Sequence, residues 1–219
     1  MAATELDIAE MALGRIGHAI ESDPGFTTSS GTDVANITDT DNAAIQVMRW
    51  YPRCRNELLE RHPWGFATKF ATLVSADDGT GEAWVDEWDR AYTWPSDCLV
   101  PRRLVTDTHR YESNPCPFRV VQHDSAKVIL SDVSTTDADL EYTFENSDTT
   151  EYPELFVQAL VLLLAYRMGP SVKGLEAGEL RAIFEEYLAV SQAAMANDGN
   201  QEHNHPQDES TYVSVRGGD

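Results

Sequence analysis

Lysine is almost missing: Lys69, Lys127 and Lys173 are the only three in 219 residues. Lys and Arg together number 16 against 37 Asp and Glu, a formal net charge of -21 at pH 7. Affinity for duplex DNA comes mainly from cations that displace its counterions, so this balance argues against a general nucleic-acid binder. Such a surface repels DNA and suits a protein kept soluble in concentrated salt. Cysteine is also scarce. Cys54, Cys98 and Cys116 are an odd number without Cys-x-x-Cys spacing, which argues against a disulfide scaffold and for free thiols in a reducing compartment. The longest apolar stretch, residues 155–165, contains Gln158 and falls short of the ~20 residues that span a bilayer, so no membrane partner is expected. The opening Met1-Ala2-Ala3-Thr4-Glu5 lacks the basic start and apolar run of a signal peptide, and export is not expected. Gly-x-Ser-x-Gly, His-Glu-x-x-His, P-loop and Gly-x-Gly-x-x-Gly patterns are missing too, which removes the common hydrolase, zincin and nucleotide signatures.

What is present is ordinary globular material, 42% hydrophobic and 9% aromatic, enough for one substantial core or two small ones. Thr4-Glu5-Leu6-Asp7 announces a helix, with Leu6, Leu13 and Ile16 near one stripe and Gly17 as its stop. Residues 21–39 are rich in Ser, Thr, Gly and Asp and read as a long exposed loop. A second helix is expected over 40–62 from Ala44, Val47, Trp50, Tyr51, Cys54 and Leu58, with Pro52 kinking it or breaking it in two and His62-Pro63-Trp64 ending it. The middle third alternates: Trp88, Arg90, Tyr92 and Trp94, then Phe118, Val120 and Gln122, then Leu140, Tyr142 and Phe144. With turn residues between them, these predict an antiparallel meander. A helix starting at Pro153 and running to Met168, where Gly169-Pro170 stops it, is apolar nearly all round and is expected to be the most buried element. The last helix, residues 176–197, should bury Leu180, Phe184, Tyr187, Leu188 and Met195. A polar tail with one alternating patch, Tyr212-Val213-Ser214-Val215, follows from 198.

The fold class is therefore α+β: an antiparallel helical bundle with an inserted antiparallel β-rich domain and an extended C-terminal tail. The expected segments are 1–65 for the N-terminal helices, 66–149 for the β-rich domain, 150–197 for the C-terminal helices and 198–219 for the tail.

Candidate chemistry is thin. Carboxylate groups such as Asp86, Glu87 and Asp89 arise without selection in so acidic a chain. Glu202, His203, His205 and Asp208 could reach one metal ion, but a merely solvated tail is the better reading by several to one. Cys54 and His62 lie about 12 Å apart along one helix, too far to form a nucleophile–base pair, so His62 reads as a helix-end residue. Trp88, Tyr92 and Trp94 could form a stacking platform for single strands, but without basic neighbours a core face is the better reading. No catalytic residue, metal or cofactor is expected.

Three stretches share a further pattern. Ala12-Leu13-Gly14-Arg15-Ile16-Gly17, then Tyr51-Pro52-Arg53 to Glu57-Leu58-Leu59, then His62-Pro63-Trp64-Gly65-Phe66-Ala67 resemble the start of the tail tubular protein A and head-to-tail adaptor family of short-tailed bacteriophages. Tyr92-Thr93-Trp94-Pro95-Ser96-Asp97-Cys98-Leu99 is similar to that family's aromatic, proline and Asp-Cys-Leu strand. Leu140-Glu141-Tyr142 followed by Tyr152-Pro153-Glu154-Leu155-Phe156-Val157-Gln158-Ala159-Leu160 is similar to its strand-to-helix junction. The polar insert at 21–38 and the acidic surface depart from the family pattern.

The resemblance implies a structural, non-enzymatic virion protein at the head–tail junction, assembled in the host cytoplasm as a homo-oligomeric ring, usually of twelve copies. Its partners would be the portal ring, the tail nozzle or tail tube protein and its own neighbours. Genomic DNA would pass through the lumen during ejection without sequence-specific binding. In that family the C-terminal segment reaches the portal, which here singles out Thr211, Tyr212, Val213, Val215 and Arg216 as anchors, apolar and Arg residues in an otherwise polar tail. Three other readings stay open. A tail-completion or stopper connector would differ in its position in the stack. A virion-associated hydrolase would need a cleft of convergent perturbed groups. A halophilic binding domain with no viral role would remain monomeric beside a portal.

Overall fold

The computed structural model describes residues 3–18, 26–76, 87–106, 116–123, 125–134 and 138–200. Helix α1 (Glu5–Arg15) begins at a capping box in which the Thr4 hydroxyl accepts from the Asp7 amide and the Asp7 carboxylate accepts from the Thr4 amide. Ile16 caps its other end, and Gly17 follows at φ +69°. Residues 26–39, expected as open loop, are instead partly folded. Thr28 bridges Ile37, a 3-10 turn covers Val34–Asn36, and both Val34 and Ile37 are buried. Two apolar side chains within a polar stretch are enough to pin it against the helices, a signal that periodicity over the whole stretch hides.

Helix α2 (Asn42–Arg61) runs unbroken through Pro52, against the expected division into two helices. Pro52 lacks the amide that would close the previous turn, but it sits on the exposed face, where water can satisfy the freed carbonyl. On the opposite face Val47, Tyr51, Cys54 and Leu58 are buried on both sides of the proline and hold one continuous helix. His62 then leaves helical geometry at φ -145° and ψ 147°, as the proline after it requires.

Six strands follow, β1 (Thr68–Thr72), β2 (Arg90–Thr93), β3 (Cys98–Val105), β4 (Arg119–His123), β5 (Ala126–Ser131) and β6 (Asp139–Phe144). All pairings are antiparallel, but they do not form a meander. The strands make two three-stranded sheets in the orders β1-β6-β3 and β2-β5-β4, in which only β4 and β5 are both consecutive and adjacent. Residue bridges join the sheets at both sides, Ser75 to Tyr92 and Leu104 to Cys116. Leu73, Tyr92, Leu104, Ile129, Leu140 and Tyr142 are buried together between the sheets. Tyr92 and Trp94 pack on this core, whereas Trp88 packs against Ala91, Val128 and Leu130 in a separate cluster, so the three aromatics form no shared platform. Pro101 falls in β3, an edge of its sheet, at a register shift, where a missing ladder donor is tolerated.

Helix α3 (Glu154–Val172) is the buried helix expected, packed against α1, α2 and α4 (Ala177–Gly199). It is long and apolar enough to cross a membrane, but most of that window is buried inside the fold, as in a core helix. Gly169-Pro170 does not end it. The helix continues to Val172, and Lys173 and Leu175 both donate to the Gly169 carbonyl. Gly169 is needed for close approach: a Cβ there would lie 2.8 Å from Leu175 Cδ1. In α4 the buried side is Ile183, Tyr187, Ser191, Ala194 and Asp198, while Leu188 is exposed, because its place on the stripe is one residue away from the face that meets α3.

All three cysteines are free and buried. Burial pushes the Cys54 and Cys98 thiols up to about 12 and raises Cys116 as well. Thiol reagents act on the thiolate. The native protein at pH 7 is therefore expected to resist labelling at all three positions and to take up three labels after denaturation; rapid native labelling would contradict this packing.

Candidate functional site

The polar side chains with most to organise gather where α2 ends and the sheets begin. The last carbonyls of α2 have no partner within the helix and carry the negative end of its dipole. Arg102 on β3 reaches them: its Nη2 donates to the carbonyls of Leu59 (3.4 Å), Glu60 (3.0 Å) and His62 (3.0 Å), and its Nε to Thr143 Oγ1 at 2.8 Å. One guanidinium thereby ties α2, β3 and β6 together. Partial burial draws its pKa down, but an arginine stays charged regardless.

Beside it, His62 Nε2 lies 3.0 Å from Asp198 Oδ2, and the Asp198 carboxylate accepts from the Gly65 amide at 3.2–3.3 Å. Asp198, only 9% exposed, thus pins the end of α4 to the chain just before β1. The expected tail boundary at 198 is accordingly too early, since Asp198 belongs to the folded body and α4 runs to Gly199. Trp64 donates its indole N–H to Leu58 O at 2.9 Å and packs edge-on against Phe156, and Phe66 and Tyr152 close the aromatic group around the same ring. Tyr152 Oη donates to Asn146 O, and Asn146 Nδ2 donates to Phe66 O and Glu151.

A second polar group joins α1 to the strand that returns from the sheets. Arg55, nearly buried, faces Glu5 at 3.5 Å and Glu145 at 2.6 Å. Glu5 also accepts from the Val34 amide, which anchors the 26–39 segment. Its pKa is nevertheless raised, because loss of water around the carboxylate outweighs the amide and the guanidinium. Asp97 shows the opposite balance. Lys69 Nζ at 2.9 Å and the Tyr142 hydroxyl at 3.0 Å stabilise its charged form and hold it below the usual carboxylate range.

The positions singled out from sequence fall elsewhere. Thr211, Tyr212, Val213, Val215 and Arg216, and the metal candidates Glu202, His203, His205 and Asp208, lie outside the described residues, as does Asp86. Among the described residues no group of three His, Cys, Asp or Glu could hold a metal ion. Glu87 faces Arg119, and the Asp89 amide donates to Asp132 Oδ1 at 3.0 Å. His62 is indeed a helix-end residue, though its partner Asp198, 136 positions away, left no sequence signal. Compared with protein-family models and with curated proteins, the chain matches none.

The exposed apolar side chains point to a second kind of surface. Phe70 is 62% exposed and Val74 67%, on the outer face of β1 and its continuation. Among the described residues β1 has a paired strand on one side only.

Two outcomes test this geometry. Arg102→Met leaves three helix-end carbonyls and Thr143 without their donor and should cost about 2–3 kcal/mol in denaturant unfolding, with Arg102→Lys recovering only part, since an ammonium cannot reach the same fork of acceptors. An unchanged midpoint for Arg102→Met would remove the guanidinium from its organising role. For Asp97, a folded pKa below the unfolded one means that its stabilisation is present above the unfolded value and is lost as pH falls through the folded value. Lys69→Met should move the carboxyl titration of Asp97, followed by carbon-13 NMR, upward toward its ordinary value, and the acid-unfolding midpoint should rise with it.

Proposed function

We propose that this chain is a structural head-to-tail connector subunit, an adaptor ring between the portal and the tail of a tailed virus. What supports the reading best is convergence: two sequence runs that resemble the adaptor family, far apart in the chain, meet at one place. Trp64 and Phe66 from the His62–Ala67 run, and Tyr152 and Phe156 from the Tyr152–Leu160 run, form a single aromatic group with ring centroids 4.9–5.8 Å apart. The Tyr92–Leu99 run supplies Trp94, whose indole donates to the Cys98 carbonyl, and Asp97, which is clamped by Lys69. Residues shared by a resemblance are worth more when they build one junction than when they scatter.

In this reading the four helices act as one bundle interrupted by the β-rich segment 66–149, and the residues after the helices form an arm that docks on the portal through Thr211, Tyr212, Val213, Val215 and Arg216. The subunit works passively. Copies of it extend the portal channel and present a docking surface to the nozzle or tube protein. Acidic side chains lining the lumen keep DNA from adhering, over a range of about 8 Å at physiological salt. No step requires a catalytic group, a metal or a cofactor.

The experiment is co-sedimentation with the portal ring of the same virus, comparing the full chain with one ending at Asn200. That end point matters, because stopping earlier removes Asp198 and with it the bond to Gly65 and His62. Binding by the full chain alone, in ring-like stoichiometry, supports both the connector and its docking arm. Binding by both chains keeps the connector and discards the arm, and binding by neither overturns the connector reading.

A further inference from the structure

Among the described residues, one side of strand β1 has no paired strand, and its hydrogen-bonding groups can be assigned. The Leu73 amide donates to Ala138 O, so residue 73 faces β6; by alternation so do 69 and 71, and the amides and carbonyls of 68, 70 and 72 face away. The next outward carbonyl, that of Val74, accepts from the Thr93 amide, and the Ala76 amide donates to Ala91 O. β2 therefore fills the outer side of the chain at 74–76 and stops there. Beside Thr68–Thr72 is a strand position, continuous with β2, with which no described strand pairs. Its outer face carries Phe70 and Val74, the two most exposed large apolar side chains of the described fold. An edge of this kind is a template for pairing, and folded proteins cover or blunt it.

We propose that residues 211–215 of the same chain add to β1 as an extra strand. Three observations support this occupant. The bond from Asp198 to the Gly65 amide fixes the end of α4 three residues before β1 starts, so the remaining chain departs from near one end of β1. Residues 201–210 can span up to about 33 Å when extended, while β1 itself is only about 17 Å long, so the segment reaches the slot in either direction. Thr211-Tyr212-Val213-Ser214-Val215 matches the five residues of β1 in length, and it holds the alternating β-forming residues of a tail that is otherwise polar. In the added strand Val213 and Val215 share one face and meet the Phe70–Val74 side. A tether of this length supplies an effective concentration of about millimolar, enough for a short strand to compete with water. The inference rests on the edge and the tether and holds whether or not the chain is a connector.

Amide hydrogen exchange, resolved by residue, tests it in the full-length chain. The comparison is with full-length Val213→Pro/Ser214→Pro, which removes two consecutive amides, one of which must face β1, and leaves the folded body untouched. The Phe70 and Thr72 amides should exchange at least about tenfold more slowly in the parent chain than in the variant, while Ala71 and Leu73, already bonded to β6, should not change. The difference should persist on dilution. Equal rates at Phe70 and Thr72 in the two chains would overturn the proposal, and protection that disappears on dilution would assign the slot to a second copy instead.

Discussion

The end of α2 is the constraint on which the remaining structure depends. A helix end leaves carbonyls without a partner inside the helix, and where the site is partly buried each unmet acceptor costs free energy comparable to a lost hydrogen bond. Here the proline after His62 forces the end, and Arg102 supplies the donors from another element. Because the same guanidinium holds Thr143, the helical and β-sheet cores cannot move apart without exposing these acceptors. His62, Asp198 and Gly65 add a second tie from α4, and the Trp64 indole a third. The boundary between the helical and β-sheet cores is thereby held by three separate sets of hydrogen bonds.

Charge is arranged with the same economy. The chain carries few cations, and those it has are placed where carboxylates or carbonyls would otherwise be unpaired: Arg55 between Glu5 and Glu145, Arg167 and Arg61 on Glu57, Lys69 on Asp97. Arginine dominates the buried positions because its planar fork serves several acceptors at once and is more weakly hydrated than an ammonium. The remaining acidic surface is left to repel, which favours solubility and opposes unspecific contact.

How much of this was readable in the sequence follows from the range of the interactions. The Thr4 cap, the stop at His62, the buried stripe of α2 and the apolar circumference of α3 are local or periodic, and sequence carries them directly. Pro52 and Pro170 were misleading for one reason: a proline breaks a helix only where the lost bond cannot be replaced, and both sit on exposed faces whose opposite sides are locked in the core. The strands were legible as strands, but their order was not, since β6 lies between β1 and β3 through pairings that span up to 75 positions. Arg102 and Asp198 were invisible for the same reason. Each looks like an ordinary surface charge until distant segments meet.

One consequence joins the junction to the edge of β1. Asp198 settles where the last 19 residues begin, and β2, by stopping at Thr93, leaves a strand position beside β1 that is unpaired among the described residues. If the proposed strand addition and the proposed portal contact both hold, a segment in this slot could not simultaneously lie in a groove of a portal ring, and the two contacts would compete for the same few residues. Competition of that kind has a direction set by concentration. On the proposed connector reading, the tethered edge would win in a free subunit at low partner concentration, and a ring presenting many grooves at once would win by multivalency. The exposed Phe70 and Val74 would then be uncovered only beside other subunits, where an open strand edge is useful for assembly and no longer a hazard for aggregation.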